Sequence, residues 1–478
     1  MKKKLGILII IVILLGAAGA ILPLSNLVIP LPASKLTTLK ADDPVTAKAL
    51  QVLEAKCVHC HTSEVQLPWY AKFPVAKQII SRDINVGMKH SDFIREFFPK
   101  KPGPVSEVLL SKMEFTTING SMPPPPFLLM HWNLLMGEED NKVLLAWIKQ
   151  ERVKHHATPD NAKEVMQAAL QPLPDTMDVD PAKVALGDKL FHDTRLSKDN
   201  TISCASCHAL DKGGTDQLPF SVGVGGKTGD INAPTVFNSA FQFIHFWDGR
   251  AADLEEQADG PVNNPIEMAS NWEEATAKLS QDGAFTQEFL AVYPDGYKKE
   301  NFVDAIAEFE RTLITPAPFD AFLKGDKAAL DEQQKKGYEL FNSLGCYTCH
   351  TGVILGGKSF ELMGLRGDYF GDRGDVIKRD YGRFNVTNDE YDRFRLKVPT
   401  LRNIAQTFPY LHDSTAETLE EAVDIMAKYQ TGKTITKEEN QLLVAFMNSL
   451  TGTYEKGAAS PTLLKKAVKF MESFSPAS

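Results

Sequence analysis

Cys57-Val-His-Cys-His61, Cys204-Ala-Ser-Cys-His208 and Cys346-Tyr-Thr-Cys-His350 decide the class of this 478-residue chain. Together they hold all six of its cysteines, so no thiol is left over for a structural disulfide. Zinc sites and redox C-x-x-C pairs do not need a histidine after each pair. Covalent haem attachment does. Two thiols one helical turn apart reach the two vinyl groups of a haem and form thioethers, and the next residue falls beneath the iron. The expectation is three covalently bound haem c groups, with His61, His208 and His350 as proximal iron ligands. Attachment of this kind takes place on the outer side of the cytoplasmic membrane.

The N-terminus fits that compartment. Lys2, Lys3 and Lys4 precede an apolar run from Leu5 to Leu24, about 30 Å of helix and enough to span a bilayer. Positive charge ahead of the run keeps the N-terminus inside and the rest of the chain outside. Ala18-Gly-Ala20 has the small residues of a signal-peptide cleavage site. Because apolar residues continue through Leu24, Leu27 and Val28, an uncleaved anchor is the favoured reading. The chain is then held in the inner (cytoplasmic) membrane by one N-terminal helix, its catalytic domains on the periplasmic side. Net charge is −9 with no basic excess, which removes nucleic acid as a partner. Apolar residues make up 43% and charged residues 24% of the chain, as in an ordinary soluble body.

Alternating Val/Ile stretches are few, and helical periodicity flanks the motifs. Thr46 to Lys56 reads as a helix feeding Cys57, and Gln333 to Leu344 as one feeding Cys346. Leu144, Leu145, Trp147 and Ile148 form a stripe closing the first segment. Thr436 to Leu450 opens with the capping-box pair Thr436 and Glu439. The fold class is mainly α: three cytochrome c-like haem domains after a transmembrane helix. The expected divisions are anchor 1–29, monohaem domain 30–160, a second haem domain 161–328, a third 329–455 and a tail 456–478. Pro and Gly clusters such as Met122-Pro-Pro-Pro-Pro126 read as loops wrapped around haem edges.

From Leu186 to Gly452 the sequence resembles the bacterial dihaem cytochrome c peroxidases. The resemblance rests on Gly213-Gly-Thr-Asp216 after the second haem motif, Asn232-Ala-Pro-Thr235, Phe246-Trp-Asp-Gly-Arg250, Glu256-Gln-Ala-Asp-Gly-Pro261, Pro265-Ile-Glu-Met268 and Val398-Pro-Thr-Leu-Arg402. It implies that the His208 haem is peroxidatic and the His350 haem transfers electrons. It further implies that Glu267 is the distal acid/base for hydrogen peroxide, Gln257 its partner in orienting the substrate, and Trp247 the aromatic bridge between the two haems. A carboxyl group suits the role once burial raises its pKa, because O–O cleavage needs a group that holds and returns a proton. Met426 matches the distal ligand of the electron-transfer haem, where a thioether raises the potential. The related tryptophan-tryptophylquinone maturation enzymes carry a tyrosine there, so Met426 argues for a peroxidase. Asn232 with the carbonyls of Thr407 and Pro409 matches the family's calcium site, oxygen donors that suit a hard cation.

The first segment has no counterpart in the dihaem enzymes. Anchor, extra haem and dihaem portion together resemble the trihaem quinol peroxidases, which implies membrane quinol as electron donor, entering through the first haem. A small soluble cytochrome or copper protein is the alternative donor, and a non-catalytic electron-transfer cytochrome the alternative function. The sixth ligand of the first haem is sought among Met88, His90, Met113, Met122, Met130 and His131. Met122 is chosen because Met followed by Pro before the last helix recurs as a haem-ligating arrangement.

One departure from the family pattern is informative. Many members place an iron-blocking histidine in the Gly-rich loop after the peroxidatic motif, where this chain has Ser221-Val-Gly-Val-Gly225, with Val224 in that place. No histidine lies between His208 and His245. The oxidised protein is therefore expected to show one high-spin, five-coordinate haem before any reductant is added. Optical and EPR spectra that are low-spin for all three haems would contradict this.

Overall fold

The computed structural model describes residues 20–21, 23–29, 31–64, 66–99, 103–159, 161–174 and 177–454. The expected anchor falls mostly, and the expected tail wholly, outside these residues. Among the described residues no helix is long and apolar enough to cross a membrane. The structure is mainly helical. It divides into two compact units, Met1–His156 and Ala157–Ser478, the first with one haem motif and the second with two.

Four helices of eight residues or more build the described part of the first unit: α1 (Pro44–Lys56), α2 (Pro74–His90), α3 (Glu107–Ile118) and α4 (Glu138–His155). α1 starts where Asp43 accepts hydrogen bonds from the Val45 and Thr46 amides, at 2.8 and 3.0 Å, with Pro44 opening the first turn. It ends at Cys57, so the haem motif is the helix's own continuation. Leu53 and Val58 of this stretch pack with Leu109 and Leu110 of α3 and with Trp147 and Ile148 of α4. Beneath them the fully buried Arg152 of α4 pairs with Glu107, Nε to Oε1 at 2.7 Å, and with Glu114, Nη2 to Oε2 at 3.0 Å, both from α3. Burial still pushes the Glu107 carboxyl up to about 7.

The second unit uses one arrangement twice. α5 (Pro181–Phe191) packs on α9 (Lys299–Arg311), and α10 (Glu332–Ser343) packs on α12 (Lys437–Asn448). Between the pairs in sequence run α6 (Leu254–Asn263), α7 (Trp272–Leu279), α8 (Gly283–Val292) and α11 (Leu419–Met426). Two short strands, β1 (Phe360–Leu362) and β2 (Arg395–Lys397), pair antiparallel with Glu361 opposite Leu396. Each helix pair touches through a glycine. A Cβ on Gly187 would lie 1.9 Å from Ala305 O, and one on Gly337 would lie 1.9 Å from Leu442 O. Backbones this close leave no room for any side chain. The capping box read from Thr436 and Glu439 is formed at the start of α12, each residue satisfying the other's amide at 2.7 and 3.2 Å.

Buried polar bonds sew the two haem segments of this unit together. Arg402 donates to Asp320 through Nη1 and Nη2, both at 2.7 Å, and Asp320 also accepts from the Leu173 and Ala317 amides. Thr315 Oγ1 accepts from Asn238 Nδ2 at 2.8 Å and from Asn403 Nδ2 at 2.7 Å. Gly337→Ala is expected to cost about 1–3 kcal/mol by forcing α10 and α12 apart. The loss should appear as a lower midpoint in thermal unfolding of the haem-loaded protein; an unchanged midpoint would mean the crossing has slack.

Candidate active site

In each motif the histidine ring is held the same way. His61 Nδ1 faces Ser91 O at 3.2 Å, His208 Nδ1 faces Gly214 O at 3.3 Å and His350 Nδ1 faces Leu355 O at 3.2 Å. A carbonyl can only accept, so Nδ1 carries the hydrogen and Nε2 keeps its lone pair for a metal. Burial lowers the pKa of all three rings, His350 to about 4, which keeps them neutral as ligation requires. None of the six cysteines is in a disulfide, and all are half-buried. Two thiols, a neutral imidazole aimed by its rear hydrogen bond and a neighbouring apolar core are the donor set that haem c needs, three times over.

A sequence repeat fixes the two carbonyls in the second unit. Pro234-Thr-Val-Phe-Asn238 and Pro399-Thr-Leu-Arg-Asn403 share the pattern Pro-Thr-x-x-Asn. Thr235 Oγ1 donates to Gly213 O at 2.7 Å, one residue before the carbonyl that His208 uses. Thr400 Oγ1 donates to Ile354 O at 2.6 Å, one residue before the carbonyl that His350 uses. Asn238 and Asn403 then reach Thr315, as described above. Sequence reading quoted parts of both stretches only as family markers. The internal repeat was the signal that they share a mechanical task.

Around the second motif the structure brings the loop 221–225 onto Glu267. Val224 N donates to Glu267 O at 2.8 Å, and Lys227 Nζ donates to Pro265 O at 2.8 Å. A Cβ on Gly223 would lie 2.1 Å from Ile266 O, so only glycine allows this approach. Val224 is buried. Glu267 is half-buried, and burial raises its pKa against the lowering effects of an Asn264 hydrogen bond and the Arg250 charge. Asn264 Nδ2 donates to its Oε1 at 2.6 Å. The carboxylate's charge reaches Cys207, so it stands beside the motif that carries His208. Gln257 is half-buried on α6. Its side-chain amide makes no hydrogen bond among the described residues, so the structure does not join it directly to Glu267. His245 is buried, and burial together with the Lys397 charge lowers its pKa to about 4.

Trp247 occupies the seam between the two haem segments. Its Nε1 donates to Asn232 O at 2.9 Å, and its ring packs in a cluster with Met363, Tyr369, Leu396 and Tyr429, against which Met426 is seated. Met426 closes α11 and is followed by a π-helical turn, Ala427–Thr431, a distortion frequent at functional positions. Asn232 N donates to His412 O at 2.9 Å, which lays its loop along the stretch that holds Thr407 and Pro409. Asp380, His412 and Asp413 gather nearby with ligand atoms within 4.8 Å of one another. Arg373 bonds both carboxylates, and His412 Nε2 lies 2.7 Å from Asp380 Oδ1. Burial opposes ionisation of Asp380, but the His412 and Arg373 bonds outweigh it and hold the carboxyl far below its usual range. Within the cluster the side chains bond one another as one buried ion-pair network.

In the first unit His61 stacks on Phe93, ring centroids 5.2 Å apart. Met122 is half-buried after α3, and Met113 is buried in the core cluster. His131 has Nε2 against Tyr70 Oη at 2.8 Å and Nδ1 against Phe127 O at 3.0 Å.

Residues 181–328 match the family model for di-haem cytochrome c peroxidase, and residues 26–150 match that for a haem-binding domain. The cytochrome c peroxidase Ccp of Escherichia coli (strain K12) is 48% identical over 412 residues, 85% of this chain and 88% of the relative. The cytochrome c551 peroxidase of Nitrosomonas europaea is 46% identical over 269 residues, 56% of this chain and 79% of that protein. Among solved structures, a MauG-like protein associated with microbial copper homeostasis is similar at a TM-score of 0.53 and 27% identity, covering 60% of this chain and 95% of its own.

Thr400→Val removes the hydroxyl that fixes the Ile354–Leu355 turn and leaves a buried carbonyl unsatisfied. The expected cost is about 1–3 kcal/mol, with a changed visible spectrum from one haem only and recovery in Thr400→Ser. A Thr400→Val protein indistinguishable from the parent in both measurements would dismiss the clamp.

Proposed function

The chain belongs to the di-haem cytochrome c peroxidase family, and on that premise we propose how its residues carry the reaction and where its electrons come from. The protein is a peroxidase: an oxidoreductase that reduces hydrogen peroxide to water, with a haem-binding domain added ahead of the dihaem portion. Haem c, when bound, supplies the redox-active iron at which the O–O bond is reduced. Cys204, Cys207 and His208 hold the peroxidatic group. Cys346, Cys349, His350 and Met426 hold the electron-transfer group, and Cys57, Cys60, His61 and Met122 the first.

Glu267 is the proton carrier. As a carboxylate it takes the proton from the inner oxygen of peroxide on its side chain, then returns it to the outer oxygen so that water leaves. Its half-buried place beside Cys207, with Asn264 bonded to Oε1 and Oε2 left for the substrate proton, is the observation that carries this reading. Gln257, whose amide is otherwise uncommitted, orients the substrate. The Val224 loop bonded to the Glu267 backbone supports a site open in the oxidised state, since its side chain is one that cannot ligate. Trp247, packed at the seam with Met426, is the bridge over which electrons pass from the His350 segment to the His208 segment. Calcium is assigned to Asn232 Oδ1 with the carbonyls of Thr407 and Pro409.

Membrane quinol is the proposed donor, with electrons entering at the N-terminal unit. The supporting features are the apolar N-terminal run and the added haem-binding domain. The same features favour anchoring in the inner membrane with the haem domains outside.

Because burial raises the Glu267 pKa, its proton-accepting form is lost at a higher pH than an ordinary glutamate's would be. Turnover by the haem-loaded protein is expected to fall as pH drops through that range. Glu267→Gln is expected to lose about 10²–10⁴-fold in turnover, and the acid limb with it, while three haems stay bound. Near-normal turnover in that variant would remove the role. Assays in membranes with a quinol analogue, beside assays with a soluble cytochrome or copper protein, separate the donors.

A further inference from the structure

α2 has two unlike sides. One rests on the first haem motif: a Cβ on Gly87 would lie 2.3 Å from Cys60 O, so helix backbone meets the attachment turn directly. The other carries Val75, Ile79 and Val86, whose spacing puts them on one stripe. They are 69, 54 and 43% exposed. A helix on the surface of a water-soluble body ordinarily turns polar residues outward. This one turns out aliphatic residues interrupted by Arg82 and Lys89, whose long stems let the charge reach past an apolar boundary.

The exposed apolar surface continues beyond α2. Phe73, 56% exposed, meets Trp69 edge-on at 6.1 Å. Tyr70, next in the chain, bonds His131, and the residues flanking that histidine include Leu129 and Trp132, 71 and 52% exposed. Asn26 Nδ2 donates to Met130 O at 2.8 Å, which fastens the segment 23–28 to the same place. That segment exposes Leu24, Leu27 and Val28 and is the end of the apolar run that begins at Leu5. Three stretches distant in sequence, 23–28, 69–73 and 129–132, are thus tied together, and each exposes apolar side chains. The composition of this stretch is also unlike the rest: residues 69–89 carry Lys72, Lys77, Arg82 and Lys89 and a single acidic residue, Asp83, in a chain of net charge −9.

We propose that this face of the N-terminal unit is seated on an anionic lipid bilayer. α2 lies in the interface with Val75, Ile79 and Val86 toward the acyl chains, Arg82 and Lys89 at the level of the lipid phosphates, and Trp69 and Trp132 in the headgroup layer. The inference rests on the membrane location proposed above and adds a second, peripheral contact to the anchor.

The test uses the full-length, haem-loaded protein in phosphatidylglycerol/phosphatidylcholine vesicles. All native thiols are consumed by haem, so Ile79→Cys offers a single site for a nitroxide, and Lys149→Cys on exposed α4 is the control. The Ile79 label is expected to collide several-fold more often with oxygen than with a water-soluble nickel chelate, and the Lys149 label the reverse. Lys72→Glu/Arg82→Glu/Lys89→Glu is expected to move the Ile79 label into water without changing peroxide turnover from a soluble dye donor. An Ile79 label as wet as the control, in protein that still sediments with vesicles, overturns the seating and leaves the membrane location standing. A label shielded from both reagents overturns it in favour of a protein partner. Protein that does not sediment with vesicles overturns both.

Discussion

An imidazole can present a lone pair to a metal from one nitrogen only while the other keeps its hydrogen, and a buried ring keeps that hydrogen in place only if something accepts it. Each of the three histidines meets this constraint with a backbone carbonyl: Ser91 for His61, Gly214 for His208 and Leu355 for His350. A backbone acceptor cannot rotate away as a side chain can, so the ring plane is as fixed as the turn that carries the carbonyl. Much of the second unit serves to hold those turns. Thr235 and Thr400 grip the preceding carbonyls, and Asn238 and Asn403 tie both grips to the single hydroxyl of Thr315. The orientations of two prosthetic groups are thereby linked through one buried side chain.

The same seam explains why the second unit is one body. Arg402 and Asp320 form a two-pronged buried pair, one partner from each haem segment. Removing either partner strands a charge in the interior, a loss of about 3–5 kcal/mol. Trp247 is held by Asn232 O on one side and packed against residues of the electron-transfer segment on the other. Beside it Arg373 bonds both Asp380 and Asp413, and His412 bonds Asp380.

The first unit is built for other ends. Its core is built from α1, α3 and α4 and pinned by the Arg152 pairs, and its exposed apolar residues include Val75 and Ile79 of α2 and Leu24, Leu27 and Val28. Such a surface is unfavourable in water and favourable in an interface, which gives the added haem domain a physical reason to sit ahead of the peroxidase.

The sequence by itself determined the covalent chemistry, because a C-x-x-C-H unit dictates its product with only local geometry. It also determined the start of α12, since Thr436 and Glu439 act within one turn, whereas α1 begins at Pro44, two residues ahead of the expected Thr46. The absence of a histidine between His208 and His245 was equally plain. Glu267, Gln257, Trp247 and Met426 were legible only through resemblance, as each is an ordinary residue type whose meaning depends on what folds beside it. Only the tertiary structure decided that Glu267 is half-buried with its backbone bonded to the Val224 loop, that His131 bonds Tyr70, and that the Pro-Thr-x-x-Asn repeats are clamps. These are contacts between residues tens to hundreds of positions apart, and they come from helix crossings as close as Gly187 on Ala305 and Gly337 on Leu442, which no local pattern encodes.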